Sequence, residues 1–199
     1  MTSEMFTSKN AAMLLIDHQI GTMSWVRSAP LDDIKRNTVV LAKAANVLNM
    51  PVVLTSSMEE QAQGPLMPEL QKMLPQSFSA RVKRFGVVDA MDDPNFAAAV
   101  KATGRKNLIM AGITTDVCIV YPAMTAVRQS YAVQVVVDAC GSPSKIADDI
   151  ALRRMERAGV ILTSTNQLIA ELAQNWTTPE GGKLVEILFT DVFSKLGNA

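Results

Sequence analysis

Short apolar segments alternate with segments of helical periodicity along most of this chain, and this alternation is what most restricts its fold. The apolar segments are rich in Val, Ile and Leu, as strands buried on both faces of a parallel sheet are. The segments between them carry apolar residues three and four positions apart, which is typical of amphipathic helices. The predicted strands are 11–16, 51–55, 80–83, 107–113, 133–137 and 160–163, and the predicted helices are 31–49, 66–73, 95–103, 117–130, 145–158 and 165–174.

Six such strand–helix units predict an α/β fold, a three-layer α/β/α sandwich around a six-stranded, mostly parallel sheet of Rossmann-like character. Right-handed crossovers then place the functional site at the carboxyl ends of the strands, near the switch in strand order. The whole of 1–199 is interpreted as one domain. Residues 177–182 interrupt the pattern and 183–196 resume an amphipathic one, so 177–199 are expected to form a C-terminal tail that packs on its own domain or on a neighbouring subunit.

The amino-acid composition restricts which kinds of molecule this chain is expected to bind. Of 199 residues, 48% are hydrophobic and only 19% charged, which indicates a large core. Nineteen basic and nineteen acidic residues cancel, and no basic cluster contains interspersed aromatic residues, so neither a nucleic-acid nor a membrane surface is indicated. A small-molecule substrate is therefore expected. The N-terminal residues do not resemble a secretory leader and no apolar segment has membrane-spanning length, which favours a cytoplasmic location.

Cys118 is the residue with the clearest chemical meaning. It follows an apolar strand and precedes a helical pattern, so its thiol is expected at a strand-to-helix turn. Backbone N–H groups at a helix N-terminus favour a thiolate and can also hold an oxyanion. We therefore interpret Cys118 as the nucleophile of an acyl transfer. Pro122 cannot donate a hydrogen bond to the Cys118 carbonyl, which fits a strained turn at the nucleophile and a plain helix start equally well.

Asp17 ends the first strand, adjacent to the strand that leads to Cys118. In that position a carboxylate is suited to accept the thiol proton and later to deliver it to the leaving group. The alternative is a carboxylate that only braces a loop. His18 raises the possibility of a Cys–His dyad, but side chains alternate along a strand, so His18 is expected to point away from Asp17 as a packing residue.

Arg84 follows the third strand and is interpreted as a fixed cation beside Asp17 and Cys118. Such a cation would lower the thiol pKa and orient the carboxylate. Lys83 is the competing candidate if the strand register differs by one, and a solvated basic edge is the alternative for both. Cys140 is interpreted as a small buried residue, because a reducing compartment disfavours a disulfide with Cys118.

The sequence lacks the motifs of several other enzyme classes. It contains no G-x-G-x-x-G, no G-x-x-x-x-G-K-[ST] and no G-x-S-x-G, which removes the main support for dinucleotide, P-loop and serine-hydrolase interpretations. A single histidine excludes a His-rich metal site. No cofactor and no metal are therefore expected.

The quoted residues resemble the isochorismatase-like cysteine hydrolases, and more closely their YcaC-like branch. The resemblance runs from Ala11 to about Trp176, and its most specific parts are L-L-I-D-H-Q at 14–19, G-P-L-M-P-E-L at 64–70, A-G-I-T-T-D-V-C at 111–118 and V-D-A-C-G-S at 137–142. It implies a triad of Asp, Lys and Cys, with Arg84 at the lysine position. It also implies a non-proline cis peptide bond at Ile113–Thr114 that directs the N–H groups of Thr114 and Cys118 towards an oxyanion.

Two departures from the family pattern are visible. The aromatic residue expected after Ala90 is Met91, which changes the expected pocket wall. The metal-binding D-x-H element of nicotinamidases is missing from residues 55–60, so zinc-assisted nicotinamide hydrolysis is disfavoured.

The leading hypothesis is a cofactor-free, amidase-type cysteine hydrolase that acts through a thioester. The alternatives are a catalytically silent or redox-responsive assembly protein, and a cysteine-independent isochorismatase. The resemblance implies a closed homo-oligomer, with an octamer as the suggested form. The expected substrate-binding residues are Gln19, Trp25, Met58, Thr115 and Tyr121.

Overall fold

A computed structural model of the chain describes residues 5–195. Its sheet has six strands in the order β3-β2-β1-β4-β5-β6, and every pairing is parallel. Helices flank this sheet, which confirms the predicted α/β class. The strands are β1 (Ala11–Ile16), β2 (Val52–Ser57), β3 (Val82–Arg84), β4 (Asn107–Gly112), β5 (Ala132–Val136) and β6 (Ile161–Thr163).

The helices lie between the strands as the periodicity predicts, with two short helices in addition that no pattern indicated. They are α1 (Ile20–Met23), α2 (Leu31–Val47), α3 (Pro68–Met73), α4 (Pro75–Ser79), α5 (Pro94–Ala102), α6 (Val120–Arg128), α7 (Lys145–Arg157), α8 (Thr165–Ala173) and α9 (Pro179–Ile187). Within residues 5–195, no helix is both long and apolar enough to span a bilayer.

The core is centred on β1 and β4, which pair along their full lengths from Ala11 opposite Asn107 to Ile16 opposite Gly112. All six residues of β1 are buried, because helices cover both faces of the sheet. The strand order changes direction between β1 and β4: β2 and β3 lie on one side, and β5 and β6 on the other. In open α/β sheets the crevice at this switch point, beyond the carboxyl ends of the strands, is where ligands bind.

The C-terminal tail packs on its own domain. Helix α9 begins at Pro179, inside the segment predicted to interrupt the pattern, because Thr178 caps it through a bond from the Gly181 N–H (3.0 Å) and proline suits a first helical position. The tail contacts α2 and α8, and Lys43 of α2 forms an ion pair with Asp191 at 2.7 Å. Within the segment 183–196 that was predicted to be amphipathic, Leu184 and Leu188 are buried, Phe189 and Phe193 are exposed, and Leu196 lies outside the described residues.

Candidate active site

Asp17 is the first residue after β1, and the chain turns there. Its backbone has φ of 56°, in the left-handed region that few residues other than glycine adopt, while its N–H still donates to the Thr55 carbonyl of β2 at 3.0 Å. The side chain is 1% exposed. The turn therefore fixes a buried carboxylate at the carboxyl edge of the central strand.

Arg84, at the end of β3, holds that carboxylate. Its Nη2 donates to Asp17 Oδ2 in a buried ion pair, its Nε donates to Thr55 Oγ1 at 3.0 Å, and its Nη1 donates to the Val87 carbonyl at 2.9 Å. Lys83 points the other way, and its Nζ lies 2.8 Å from Glu59. The strand pleat thus places Arg84, and not Lys83, against Asp17.

Cys118 lies on a π-helical turn, Thr115–Ile119, between β4 and α6. The peptide bond Ile113–Thr114 before this turn is cis. The Cys118 N–H donates to the Thr114 carbonyl at 2.8 Å, so this donor of the expected oxyanion pair is already engaged. The Thr114 backbone lies near the Cys118 sulfur and favours its charged form.

The thiol and the carboxylate interact closely, and this changes the expected ionisation of Cys118. Burial raises the pKa of the thiol, and the neighbouring carboxylate of Asp17 raises it further, against smaller opposing effects of Thr114 and Arg84. Arg84 lowers the thiol pKa as expected, but burial and Asp17 outweigh it, so the expectation that the net pKa is lowered is wrong. Burial also raises the pKa of Asp17, although Arg84 and, more weakly, the neighbouring Cys118 thiol oppose this rise. The pair is therefore a thiol whose ionisation is disfavoured, beside a carboxyl group that forms an ion pair with Arg84.

The three side chains meet in a cavity of about 380 Å³ at the carboxyl edge of the sheet. Three of the expected substrate-binding residues, Gln19, Trp25 and Met58, contribute to its wall. Gln19 also joins the segment after β1 to the end of β2, because its amide donates to the Ser57 carbonyl at 2.9 Å and accepts from the Ser57 N–H at 2.8 Å. The full lining is Asp17, Gln19, Thr22, Trp25, Ser57, Met58, Gln63, Arg84, Gly86, Val87, Val88, Thr114, Asp116, Val117, Cys118 and Pro143.

Thr115 and Tyr121 lie outside this wall, so their assignment to the substrate site is corrected. Thr115 is fully buried and its N–H donates to the Gly141 carbonyl at 2.9 Å, which ties the turn to the β5 side of the sheet. Tyr121 is exposed on α6, with the Arg154 guanidinium 5.4 Å above its ring. The π-helical turn shifts which side chains face the cavity, and Asp116 and Val117 line it instead.

Sequence reasoning also missed Val87 and Val88, which follow Arg84 and form an apolar part of the cavity wall. Their run of apolar residues after a strand end was the available signal. Met91, at the expected aromatic position, is buried outside the cavity lining.

The remaining candidates have packing roles. His18 is fully buried, its Nε2–H donates to the Ala139 carbonyl at 3.0 Å, and burial lowers its pKa to about 4. Cys140 is a free, buried thiol that donates to the Val136 carbonyl at 3.2 Å. Among residues 5–195, no group of three or more His, Cys, Asp or Glu side chains is arranged to hold a metal ion.

The fold and the site define a class of α/β protein in which a thiol and a carboxylate meet at the switch point of a parallel sheet. The Isochorismatase domain model matches residues 11–167. The probable hydrolase YcaC of Escherichia coli K12 is 40% identical over 167 residues, which are 84% of this chain and 79% of that protein. Mouse isochorismatase domain-containing protein 2A is 31% identical over 153 residues, 74% of this chain and 68% of that one.

Solved structures agree with this relation. YcaC from Pseudomonas aeruginosa has a TM-score of 0.91 and 38% identity, with 98% of this chain and 95% of that chain covered. The E. coli YcaC structure, an octameric hydrolase of unknown specificity, has a TM-score of 0.90 and 35% identity in the superposition, with 98% and 94% covered. The chain therefore belongs to the isochorismatase family of hydrolases, in its YcaC-like branch.

Proposed function

We propose that this chain is a cofactor-free cysteine hydrolase that cleaves the C–N bond of a small amide through a thioester on Cys118. The observation that carries the proposal is the meeting of Cys118 and Asp17 in one largely apolar cavity, with Arg84 fixed behind the carboxylate. A thiol and a base within interaction distance, oriented by a third group, form the arrangement that nucleophilic catalysis requires.

In this mechanism Asp17 accepts the thiol proton as Sγ attacks the carbonyl carbon. The C–N bond then breaks, the amine leaves with the proton from Asp17, and an acyl thioester remains on Cys118. A water molecule next attacks the thioester while Asp17 accepts its proton, and the proton finally returns to the sulfur. Atoms balance as one amide and one water giving one acid and one amine.

The charges of the site suit this proton transfer. Asp17 and Arg84 neutralise each other while the thiol is protonated, and Arg84 remains next to the negative charge when the proton moves to Asp17. Because burial and Asp17 raise the pKa of Cys118, a free thiolate is unfavourable and proton transfer accompanies the attack. We assign the oxyanion mainly to the Thr114 N–H, since the Cys118 N–H can contribute only by sharing its bond to the Thr114 carbonyl.

A relative supports the assignment of the nucleophile. The P. aeruginosa YcaC structure contains hexane-2,5-diol and covalent acrylamide. Acrylamide is an electrophile that thiols attack, and of the two cysteines here only Cys118 lines the cavity, whereas Cys140 is 2% exposed. We therefore expect acrylamide to modify Cys118.

The proposal is tested with a panel of small primary amides, assayed by ammonia release and by intact mass after acid quenching. We expect Cys118→Ala to abolish turnover and the acyl adduct, and Cys140→Ser, the matched control, to retain activity within a few-fold. Activity of Cys118→Ala close to that of the wild type would favour the cysteine-independent alternative. A wild type that turns over none of the amides and forms no adduct would favour the silent assembly protein.

We further propose that the chain forms a closed homo-oligomer, with the octamer described for E. coli YcaC as the model. Several large apolar side chains support this, among them Phe189 (62% exposed) and Phe193 (38% exposed) at the tail. Contiguous apolar surface of this kind commonly marks an association site.

A further inference from the structure

The charged groups in the cavity wall differ in whether a substrate can use them. Arg84 is the cation of this wall, and each of its three guanidinium nitrogens already donates to a protein acceptor: Asp17, Thr55 or the Val87 carbonyl. The side chain is 1% exposed. Because the side chain is buried and its charge is balanced by Asp17, Arg84 offers a substrate carboxylate neither accessible surface nor an unpaired positive charge.

Asp116 is in the opposite situation. It lines the cavity two residues before Cys118, and it forms no ion pair or side-chain hydrogen bond within residues 5–195. Its Oδ1 is buried without a partner. Arg154 borders a neighbouring depression that Asp116 also lines, but this guanidinium is exposed and lies over Tyr121. The cavity wall thus carries one unpaired negative charge.

The rest of the wall supplies no charge that would balance it. Trp25, Met58, Val87, Val88 and Val117 are apolar, and the remaining polar side chains of the lining are neutral. A charge at the side of an apolar cavity is poorly screened, so its field acts on any ligand charge within several ångströms.

We propose that Asp116 is a specificity residue that makes this cavity accept neutral or cationic acyl compounds and exclude anionic ones. The inference deepens the proposed function, because it names the charge class of the substrate at the same site. An amide with an ammonium or N–H donor near its acyl group would pair with Asp116, whereas a carboxylate would be repelled. Isochorismate is a dicarboxylate, so the same charge disfavours the cysteine-independent isochorismatase alternative.

The test uses alkylation of Cys118 by three acrylamides, because this reaction needs the thiol and the cavity but no turnover. The probes are acrylamide, the cation acrylamidopropyl-trimethylammonium and the anion acrylamido-methylpropane sulfonate. In each addition the sulfur bonds to the terminal alkene carbon, the C=C π bond breaks, and the thiol proton ends on the neighbouring carbon. Rates are followed by mass spectrometry of the intact protein and divided by the rates measured with 2-mercaptoethanol, an uncharged thiol, which corrects for the intrinsic reactivity of each probe.

The measured quantity is the ratio of cation to anion rates, in which any change in thiol reactivity cancels. We expect a ratio well above unity in the wild type and a fall on the order of tenfold in Asp116→Asn at low ionic strength. Asp116→Glu should keep the preference. Glu156→Gln removes an exposed carboxylate at the end of α7 outside the cavity lining and should leave the ratio unchanged. Added salt should reduce the ratio, because it screens the charge.

A wild-type ratio at or below unity, or a ratio that Asp116→Asn leaves unchanged, would overturn the inference. Asp116→Ser removes the same charge with a smaller side chain and serves if Asn perturbs folding. These results can be distinguished from a failure of the proposed function. If the wild type shows no charge preference but turns over amides, only the role of Asp116 is refuted. A preserved charge preference without any amide turnover refutes only the hydrolase proposal.

Discussion

Asp17 acts on Cys118 in two opposite ways. As a negative charge beside a buried thiol it raises the pKa of Cys118, which makes the resting sulfur less reactive. As the nearest base it receives the proton when the sulfur attacks a substrate. Catalysis and alkylation by a simple reagent should therefore respond differently to the loss of this carboxylate.

We predict that Asp17→Asn slows amide turnover by about 10²–10⁴-fold, the usual contribution of a general base. The same substitution should speed alkylation of Cys118 by iodoacetamide at mildly alkaline pH, because it lowers the thiol pKa and so increases the thiolate fraction. Steady-state kinetics and mass spectrometry on the same preparation measure both. A parallel fall of the two rates would indicate that Asn disturbs the site rather than removing a base.

His18 gives a second prediction at the scale of one residue. Its Nε2–H is used by the Ala139 carbonyl, and its Nδ1 is buried with no partner in the described residues, so protonation would bury an unpaired N–H. Its pKa in the folded protein, about 4, lies below the 6.5 of an unperturbed histidine. The unfolded chain therefore binds more protons in this window, and stability falls as the pH falls.

The expected loss reaches about 3 kcal/mol of unfolding free energy as the pH falls from about 6.5 to about 4. Urea unfolding across this range measures it. His18→Gln keeps a donor for Ala139 without titrating, so the difference between the wild type and this variant isolates the histidine from the carboxylates. Parallel pH curves for the two proteins would contradict the prediction.

The sequence predicted part of this site for a simple geometric reason. Side chains alternate along a strand, and polar residues at the carboxyl ends of β1, β3 and β4 converge, which is why Asp17, Arg84 and Cys118 were identifiable. The raised thiol pKa was not, because it depends on how deeply the sulfur is buried and how near Asp17 lies. Thr115 and Tyr121 were misassigned because proximity to Cys118 in the sequence does not show which side chains of the π-helical turn and of α6 face the cavity.

At the scale of elements, the connection from β4 to the nucleophile turn depends on Gly112. A Cβ at Gly112 would lie 2.2 Å from the Ile16 carbonyl oxygen of β1 and 2.7 Å from Ile119 Cδ1. The first contact is with backbone of the central strand, which cannot move aside without separating β1 from β4. Glycine is thus required where the chain leaves the sheet towards Cys118.

We predict that Gly112→Ala destabilises the protein by about 1–3 kcal/mol, the usual cost of overpacking a close-packed core, and that it lowers activity by displacing Cys118. Gly182→Ala is the matched control: on α9 the nearest atom to an added Cβ is 3.9 Å away, and alanine favours a helix interior. Urea unfolding should therefore show a lower unfolding free energy for Gly112→Ala and an equal or higher one for Gly182→Ala, although the chemical change is the same. Equal effects at both positions would contradict the role of Gly112.

Element types were predicted better than element ends. The apolar segments and their spacing identified all six strands, but β2 extends to Ser57, and β3 is only Val82–Arg84. The ends depend on pairing with neighbours: Ser57 stays in the sheet because Arg84 lies opposite it on β3. The helix start at Pro179 was missed because proline and glycine weaken helices in general, yet proline is favoured at the first position.

For the whole molecule, the tail divides into a face that contacts the domain and a face that does not. Leu184 and Leu188 are buried, and the ion pair of Lys43 with Asp191 fixes the tail against α2. Phe189 and Phe193 form an edge-to-face pair with ring centroids 5.3 Å apart on the exposed side. Removing the tail would uncover α2 as well as delete these rings, so substitution of the exposed residues is the sharper test.

We predict that the double substitution Phe189→Ser and Phe193→Ser weakens the assembly, because it removes exposed apolar area without touching the buried face of the tail. Light scattering coupled to size-exclusion chromatography over a range of concentrations measures the oligomer. The matched control is Ile146→Ser with Ile150→Ser, which removes side chains 63% and 50% exposed on α7. A monomeric wild type would contradict the homo-oligomer itself, whereas an oligomer that the tail variant leaves unchanged would assign its contacts to another surface.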